Sequence, residues 1–277
     1  MTLDEIIEAI GVKPFHREKA GVIYCGSFID VLKTLPSADI FDLVCTSPPY
    51  NVGMEYEKVL PWPEYYNLLR ALIWESRRLM KRGGVLATVL PKEVKLPKDQ
   101  IEDLGRRVER IAERFNTMCT DDYGLLPRES IIWAKGSEEG EPYSHISATG
   151  SDNNIYIRSC CEIIGLHSKG RYHYDGGTGR RGREAVPYME ETKDIWWIRP
   201  DHGNGHPCPF PVKIPYQLIQ LFTLNHKFTP IVLDPFCGKG TTAIAAKKLK
   251  RFYVGIDKEE RYCAMAADQL RQEELPL

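Results

Sequence analysis

Two short stretches of this sequence carry side chains arranged for chemistry. In the first, Asp42-Leu43-Val44-Cys45 runs into Thr46-Ser47-Pro48-Pro49-Tyr50-Asn51. Prolines have no N–H and their carbonyls cannot fold back into a helix, so this turn presents hydrogen-bond acceptors at a strand end. Ser47 Oγ and the Pro48 carbonyl are the expected pair. Two acceptors can hold both hydrogens of a planar amine while positive charge builds on its nitrogen. Tyr50 adds a flat ring on which a heteroaromatic substrate could stack. The plain alternative is an ordinary Ser-Pro loop.

In the second stretch, Ile231-Val232-Leu233 breaks at Asp234-Pro235-Phe236-Cys237-Gly238-Lys239-Gly240-Thr241-Thr242 and opens an alanine-rich helix. Gly238 and Gly240 permit a positive φ and close ligand approach, and a helix start offers unpaired N–H groups, as in nucleotide-type cofactor turns. Asp257 ends the next apolar run, nineteen residues after Gly238 (257 − 238), close to the spacing at which an acid meets ribose hydroxyls. Alternatively, the glycines only shape a turn and Asp257 only caps the helix near Glu259. An ATP-type phosphate loop is excluded, because it needs glycine where Leu233 stands. The nicotinamide fingerprint would need glycine at Ala243.

The elements around these stretches alternate between short apolar runs and segments of helical spacing, the pattern of an α/β fold with a parallel sheet under helices. Strands are expected at Phe41–Cys45, Gly84–Leu90, Ser130–Ala134, Cys161–Leu166, Pro230–Leu233 and Phe252–Ile256. Helices are expected at Glu64–Met80, Ile101–Phe115, Pro215–Leu224, Thr241–Leu249 and Glu259–Leu270. The polar, glycine-rich sequence between and after the middle strands is where an insertion would sit.

The chain has 277 residues, 43% of them hydrophobic, and a net charge of −1. That allows one large core, or a core domain carrying an inserted smaller lobe, and gives no global attraction to a polyanion, so any nucleic-acid surface must be a local cluster of Lys and Arg. Lys169, Arg171, Arg180, Arg181 and Arg183 form such a cluster against the single acid Asp175. Apolar runs such as Val85–Leu90 fall far short of the roughly 20 residues that cross a bilayer. With an acidic N-terminus unlike a signal peptide, a cytoplasmic location without membrane contact is expected. The eight cysteines are scattered without a Cys-x-x-Cys pair and read as reduced core residues. His202, His206 and Cys208 make a weak zinc cluster, and no metal is expected.

Taken together, the two stretches give the sequence a resemblance to the β group of DNA amino-methyltransferases, the N4-cytosine and N6-adenine enzymes of restriction–modification systems. The match spans most of the chain. It includes Arg78 to Gly84, Glu129 to Lys135, Cys161-Glu162-Ile163-Ile164 before Ser168-Lys169-Gly170, Asp194-Ile195-Trp196, and His206-Pro207 with Phe210-Pro211. The catalytic stretch precedes the cofactor stretch, as in that group.

The resemblance implies a Rossmann-like, S-adenosylmethionine-dependent sheet with permuted motif order and an inserted target-recognition region. Residues 1–135 would form the catalytic half, 136–193 the insertion, and 194–277 the cofactor half. Ser47, Pro48, Pro49 and Tyr50 are the implied catalytic residues. Asp234, Pro235, Phe236, Gly238, Gly240, Thr241, Asp257, Phe210, Ser27 and Thr46 would enclose the cofactor, and the five basic residues would meet DNA. Ser27 departs from the Asp that many relatives carry there.

The implied reaction is methylation of cytosine N4 in a base flipped out of double-stranded DNA, with adenine N6 as the alternative. RNA or protein-amide methylation, or a catalytically inactive regulatory relative, are more distant readings. A restriction endonuclease partner without direct contact, and a monomer or homodimer, would fit.

Overall fold

The computed structural model describes residues 1–53, 58–96, 100, 104, 108–136, 150–151, 154–155, 159–172, 191–201, 210–223 and 228–272. Ten strands build the central sheet: β1 (His16–Glu18), β2 (Gly21–Cys25), β3 (Phe41–Thr46), β4 (Met80–Pro91), β5 (Leu126–Pro127), β6 (Ile131–Ala134), β7 (Cys161–Ser168), β8 (Ile195–Trp197), β9 (Ile231–Asp234) and β10 (Phe252–Asp257). Their order is β1-β2-β10-β9-β3-β4-β7-β6-β8, with β5 beside β7.

From β2 to β4 every pairing is parallel. β7 runs antiparallel to β4 and β6, while β8 is parallel to β6. The carboxyl ends of β2, β10, β9, β3, β4, β6 and β8 therefore share one rim, and β7 begins on that rim and ends on the opposite one. Within the sheet, β3 leads outward to β4 while β9 leads the other way to β10. This divergence opens a crevice at the β3/β9 strand ends, the usual ligand position in such sheets.

Seven α-helices are described: α1 (Leu3–Ile10), α2 (Phe28–Leu32), α3 (Trp62–Leu79), α4 (Ile111–Thr117), α5 (Lys213–Phe222), α6 (Thr241–Lys248) and α7 (Glu260–Arg271). Thr2 and Glu5 close a capping box at the start of α1, and Gly11, at φ 67°, ends it. Pro61 precedes α3 and Pro63 lies in its first turn, where a missing N–H leaves nothing unpaired.

Alternation along each strand divides the core. Val22, Phe41, Val44, Leu86, Leu233 and Ile256 pack one face under Ile6, Phe28, Leu69 and Phe115. Ile23, Leu43, Cys45, Ala87 and Val232 pack the other under Leu218, Ala243, Ile244 and Ala266.

Most expected elements recur within a few residues. The helix expected over Ile101–Phe115 is interrupted: Leu104 is helical, Val108–Glu109 pairs antiparallel with Val94–Lys95, and helix resumes at Ile111. Gly105 and β-branched Val108 weaken a continuous helix there. Residues 1–40, given no element in the sequence reading, hold α1, β1, β2 and α2. Cys25 and Cys160 are exposed, against the expectation of core cysteines, whereas Cys45, Cys119, Cys237 and Cys263 are buried. Among the described residues no helix is long and apolar enough to cross a membrane. His202, His206 and Cys208 lie outside the described residues.

Candidate active site

A cavity of about 300 Å³ opens on the carboxyl rim between the ends of β2, β10, β9 and β3. Ser27 and Phe28 line it from the β2–α2 turn, Ser47, Pro48, Pro49 and Tyr50 from beyond β3, and Phe236 and Gly238 from beyond β9. Asp257, Phe210, Pro235 and Thr241 complete the wall among the residues named from sequence. Both chemically loaded stretches thus face one space.

Asp257 closes the floor at the tip of β10. Its Oδ2 accepts from Gly238 N at 2.8 Å and its Oδ1 from Glu259 N at 2.9 Å. Burial raises the Asp257 pKa, and these two backbone hydrogen bonds oppose the rise. Each carboxylate oxygen keeps lone-pair capacity for another donor. Gly238 sits at φ 49°, in the left-handed region that lets its N–H point back at this carboxylate. Above it, the rings of Phe28 and Phe236 approach to 5.1 Å at 58°, forming an aromatic wall.

Three residues named from sequence stand behind the wall instead of on it. Thr46 and Asp234 are buried at the ends of adjacent strands. Thr46 Oγ1 donates to Asp234 Oδ1 at 2.6 Å, and the same oxygen accepts from Phe236 N at 3.1 Å. Burial pushes the Asp234 carboxyl up to about 6, although the hydrogen bonds from Thr46 and Phe236 favour its charged form. Gly240, at φ 85°, lies against α7, where an added Cβ would meet Ala266 Cβ at 2.9 Å. It holds the turn against a helix.

The rim beyond β3 carries a polar chain. Ser47 Oγ is 3.1 Å from Tyr50 Oη and 3.3 Å from the carbonyl of Val89, to which it can donate. Tyr50 Oη donates to Glu162 Oε2 at 2.7 Å, and Lys135 ion-pairs with Glu162 Oε1. Tyr65 Oη donates to the Pro49 carbonyl at 2.8 Å, pinning the diproline to α3. Asn51, at φ 61°, bonds the backbone of Leu60 through both its amide nitrogen and oxygen and so ties the turn to the residue before Pro61 and α3. The left-handed conformation suits asparagine.

Two members of the basic cluster are among the described residues. Lys169 follows the far end of β7, on the rim opposite the cavity, where its Nζ reaches Asp39 at 3.1 Å and the Met80 carbonyl at 2.6 Å. Arg171 is in the same turn, its N–H bonded to the Lys169 carbonyl. The structure brings neither to the cavity. Arg180, Arg181 and Arg183 lie outside the described residues.

Sequence reading passed over Phe28, Lys239 and Glu162 as site residues. Lys239, between the two glycines, lines the cavity and pairs with Asp201 at 3.0 Å. Phe28 could have been suspected as an aromatic directly after Ser27. Glu162 carried no signal by spacing, because it reaches Tyr50 only through the antiparallel pairing of β7 with β4.

The family description that fits this chain is "DNA methylase", matched over residues 41–268. The type II methyltransferase M.BglI of Bacillus subtilis is 38% identical over 87% of this chain and 83% of its own length. Among solved structures, a protein of Thermus thermophilus described as a DNA modification methylase, complexed with S-adenosyl-L-methionine, superposes with a TM-score of 0.65. It is 25% identical, and the match covers 89% of this chain and 91% of that one. The PvuII cytosine-N4-specific DNA methyltransferase shares the fold at a TM-score of 0.73, with 19% identity over 96% of this chain and 92% of that one.

Proposed function

Because the chain belongs to the DNA methylase family of N6 and N4 amino-methyltransferases, we propose that it methylates the exocyclic N4 of cytosine in double-stranded DNA, with S-adenosylmethionine as methyl donor. The observation that carries this reading is the shared cavity, in which Ser47 to Tyr50 and Phe236 to Asp257 face each other from opposite ends of the sequence. The cavity suits the donor on three counts. Asp257 offers carboxylate oxygens for a ribose diol, Phe28 and Phe236 offer a wall for an adenine ring, and Gly238 leaves the floor free of a side chain.

The cofactor supplies an electrophilic methyl group on sulfonium sulfur. The protein's task is then to make a weak nucleophile attack it. An exocyclic amine is weak because its lone pair is delocalised into the ring, and acceptors on both its hydrogens stabilise the charge that develops on nitrogen. Ser47 Oγ and the Pro48 carbonyl are our candidates for these acceptors. Tyr50 is our candidate for the stacking face of a base rotated out of the duplex. Ser27 and Phe210 lie where they can close around the cofactor, while Thr46, Asp234 and Gly240 shape its turn from behind. We assign target recognition to residues 136–193, with Arg180, Arg181 and Arg183 neutralising phosphates.

Ser47 favours cytosine N4 over adenine N6, since adenine enzymes of the family more often carry Asp at this position. Plasmid DNA from cells expressing the protein, digested to nucleosides and examined by mass spectrometry, tests the assignment against a Ser47→Ala strain. N4-methylcytosine that vanishes in the Ser47→Ala strain supports it. N6-methyladenine in its place overturns the base and keeps the chemistry.

A further inference from the structure

The neutral Ser47 hydroxyl stands at the head of a hydrogen-bonded chain that ends on a carboxylate: Ser47 Oγ to Tyr50 Oη at 3.1 Å, then Tyr50 Oη to Glu162 Oε2 at 2.7 Å. Glu162 is buried, on the strand that pairs antiparallel with β4, opposite Pro91 at the carboxyl rim. Its second oxygen is taken by Lys135 from the neighbouring strand β6, and the ammonium of Lys135 lies 5.0 Å from the centre of the Trp133 ring. Neither Glu162 nor Lys135 belongs to the cavity wall or to the turn.

The polarity of such a chain is fixed at its charged end. A carboxylate can only accept, so the single Tyr50 proton points at Glu162. The Tyr50 oxygen is then an acceptor toward Ser47. Ser47 has one proton, and both neighbours within reach, Tyr50 Oη and the Val89 carbonyl at 3.3 Å, take it. What Ser47 turns toward the cavity is therefore lone pairs alone. A charge-assisted bond at one end of a chain also strengthens the next bond in it.

We infer that Glu162 is a positioning residue for methyl transfer, which acts through Tyr50 to orient and polarise Ser47 as an acceptor for the substrate amine, and that Lys135 holds the Glu162 carboxylate in place. The inference rests on the amine-methylation reading above. It gives the serine in this turn, through one intervening phenol, part of the negative charge that an aspartate would carry there directly.

Glu162→Gln separates charge from packing, since glutamine keeps the size and a carbonyl oxygen for Tyr50. The expected result is a fall of about tenfold or more in kcat, the lesser end of what removal of an electrostatic stabiliser costs, with KM for DNA and the calorimetric affinity for S-adenosylmethionine changed by less than about threefold. In a Ser47→Asp background, where the charge is supplied locally, the same change should cost less than about threefold.

A readout that needs no turnover is fluorine NMR of protein labelled with 3-fluorotyrosine, with the Tyr50 resonance assigned by its loss in Tyr50→Phe. Glu162→Gln should shift that resonance, and Lys135→Met should shift it the same way by less. A wild type that methylates DNA while Glu162→Gln retains its kcat overturns the inference and spares the reading beneath it. A wild type that methylates no DNA amine overturns both. An unmoved Tyr50 resonance in Glu162→Gln overturns the chain itself.

Discussion

Thr46 Oγ1 donates to Asp234 Oδ1 at 2.6 Å across 188 residues of sequence, joining the end of β3 to the end of β9 where the catalytic and cofactor turns begin. Both side chains are buried. Thr46→Val preserves the volume and removes the donor, which leaves a buried carboxylate short of one partner. A loss of about 1 to 3 kcal/mol follows, read as a lowered midpoint in urea. An unchanged midpoint would show that the bond contributes nothing.

Asp234 itself should weaken the fold at neutral pH. Its carboxyl titrates at about 6 in the folded chain against 3.8 as a reference. Between those values the folded state binds the extra proton, so stability falls as pH rises from about 4 to about 6 and stays lower above that. Asp234→Asn removes this dependence. Relative to wild type it should gain stability at pH 8, by at most about 3 kcal/mol for a shift of this size, and the gain should shrink toward pH 4. Urea melts of both proteins at the two pH values measure it, and an equal difference at each would refute it.

Asp257→Asn keeps the shape and one acceptor oxygen, sets an amide N–H against the other of the two backbone donors Gly238 and Glu259, and removes the charge. We expect S-adenosylmethionine to bind more weakly by about 1 to 3 kcal/mol, the scale of hydrogen bonds to a charged group, in a protein that still folds with a somewhat lower melting temperature. Calorimetric titration decides. Wild-type affinity in a folded Asp257→Asn protein would take the residue out of the cofactor site.

Gly240→Ala meets two obstacles at once, a φ of 85° and a Cβ contact of 2.9 Å with Ala266. Destabilisation of about 1 to 3 kcal/mol is expected from the strained backbone alone. Its effect on the cofactor should be no larger than that loss explains. Chemical denaturation checks the first statement and calorimetry the second.

Lys169 should be irrelevant to DNA. Held by Asp39 and Met80 on the far rim, it cannot contribute phosphate contacts at the cavity. Lys169→Ala is expected to leave the slope of log affinity against log salt unchanged. Arg180, Arg181 and Arg183 changed together to Ala should flatten that slope, because each phosphate contact adds about one to it. The opposite pattern would move the DNA surface to the other rim.

The sequence was most readable where strand and turn chemistry coincide. Ile231 to Arg271 alternates apolar strand, glycine turn and helix with few ambiguities, and the observed bounds differ from the expected ones by a residue or so. The Ser47 turn was readable because proline restricts it. Residues 1–40 were less so: β1 has three residues and α2 five, too short for a period to emerge, whereas the Thr2–Glu5 capping box and Gly11 that bound α1 were legible and went unread.

Charge along the chain does not tell on which rim a basic residue stands: β7 carries Lys169 to the rim opposite the one on which its first residues, including Glu162, take part in the polar chain. Which residues stand on the cavity wall and which behind it is likewise a matter of tertiary contact: Thr46 and Ser47 are neighbours, yet only Ser47 faces the space.

The placing of β9 and β10 between β2 and β3 has a consequence for the growing chain on the ribosome. Until residues 231–257 emerge, the sheet has a gap two strands wide at its centre, with the inner edges of β2 and β3 unpaired. Such edges are the ones through which chains associate wrongly, and long-range parallel pairing is slow to form. A nascent chain that stalls before residue 231 therefore leaves the two inner edges without their partners and lacks the half of the cavity wall that residues 235–262 supply.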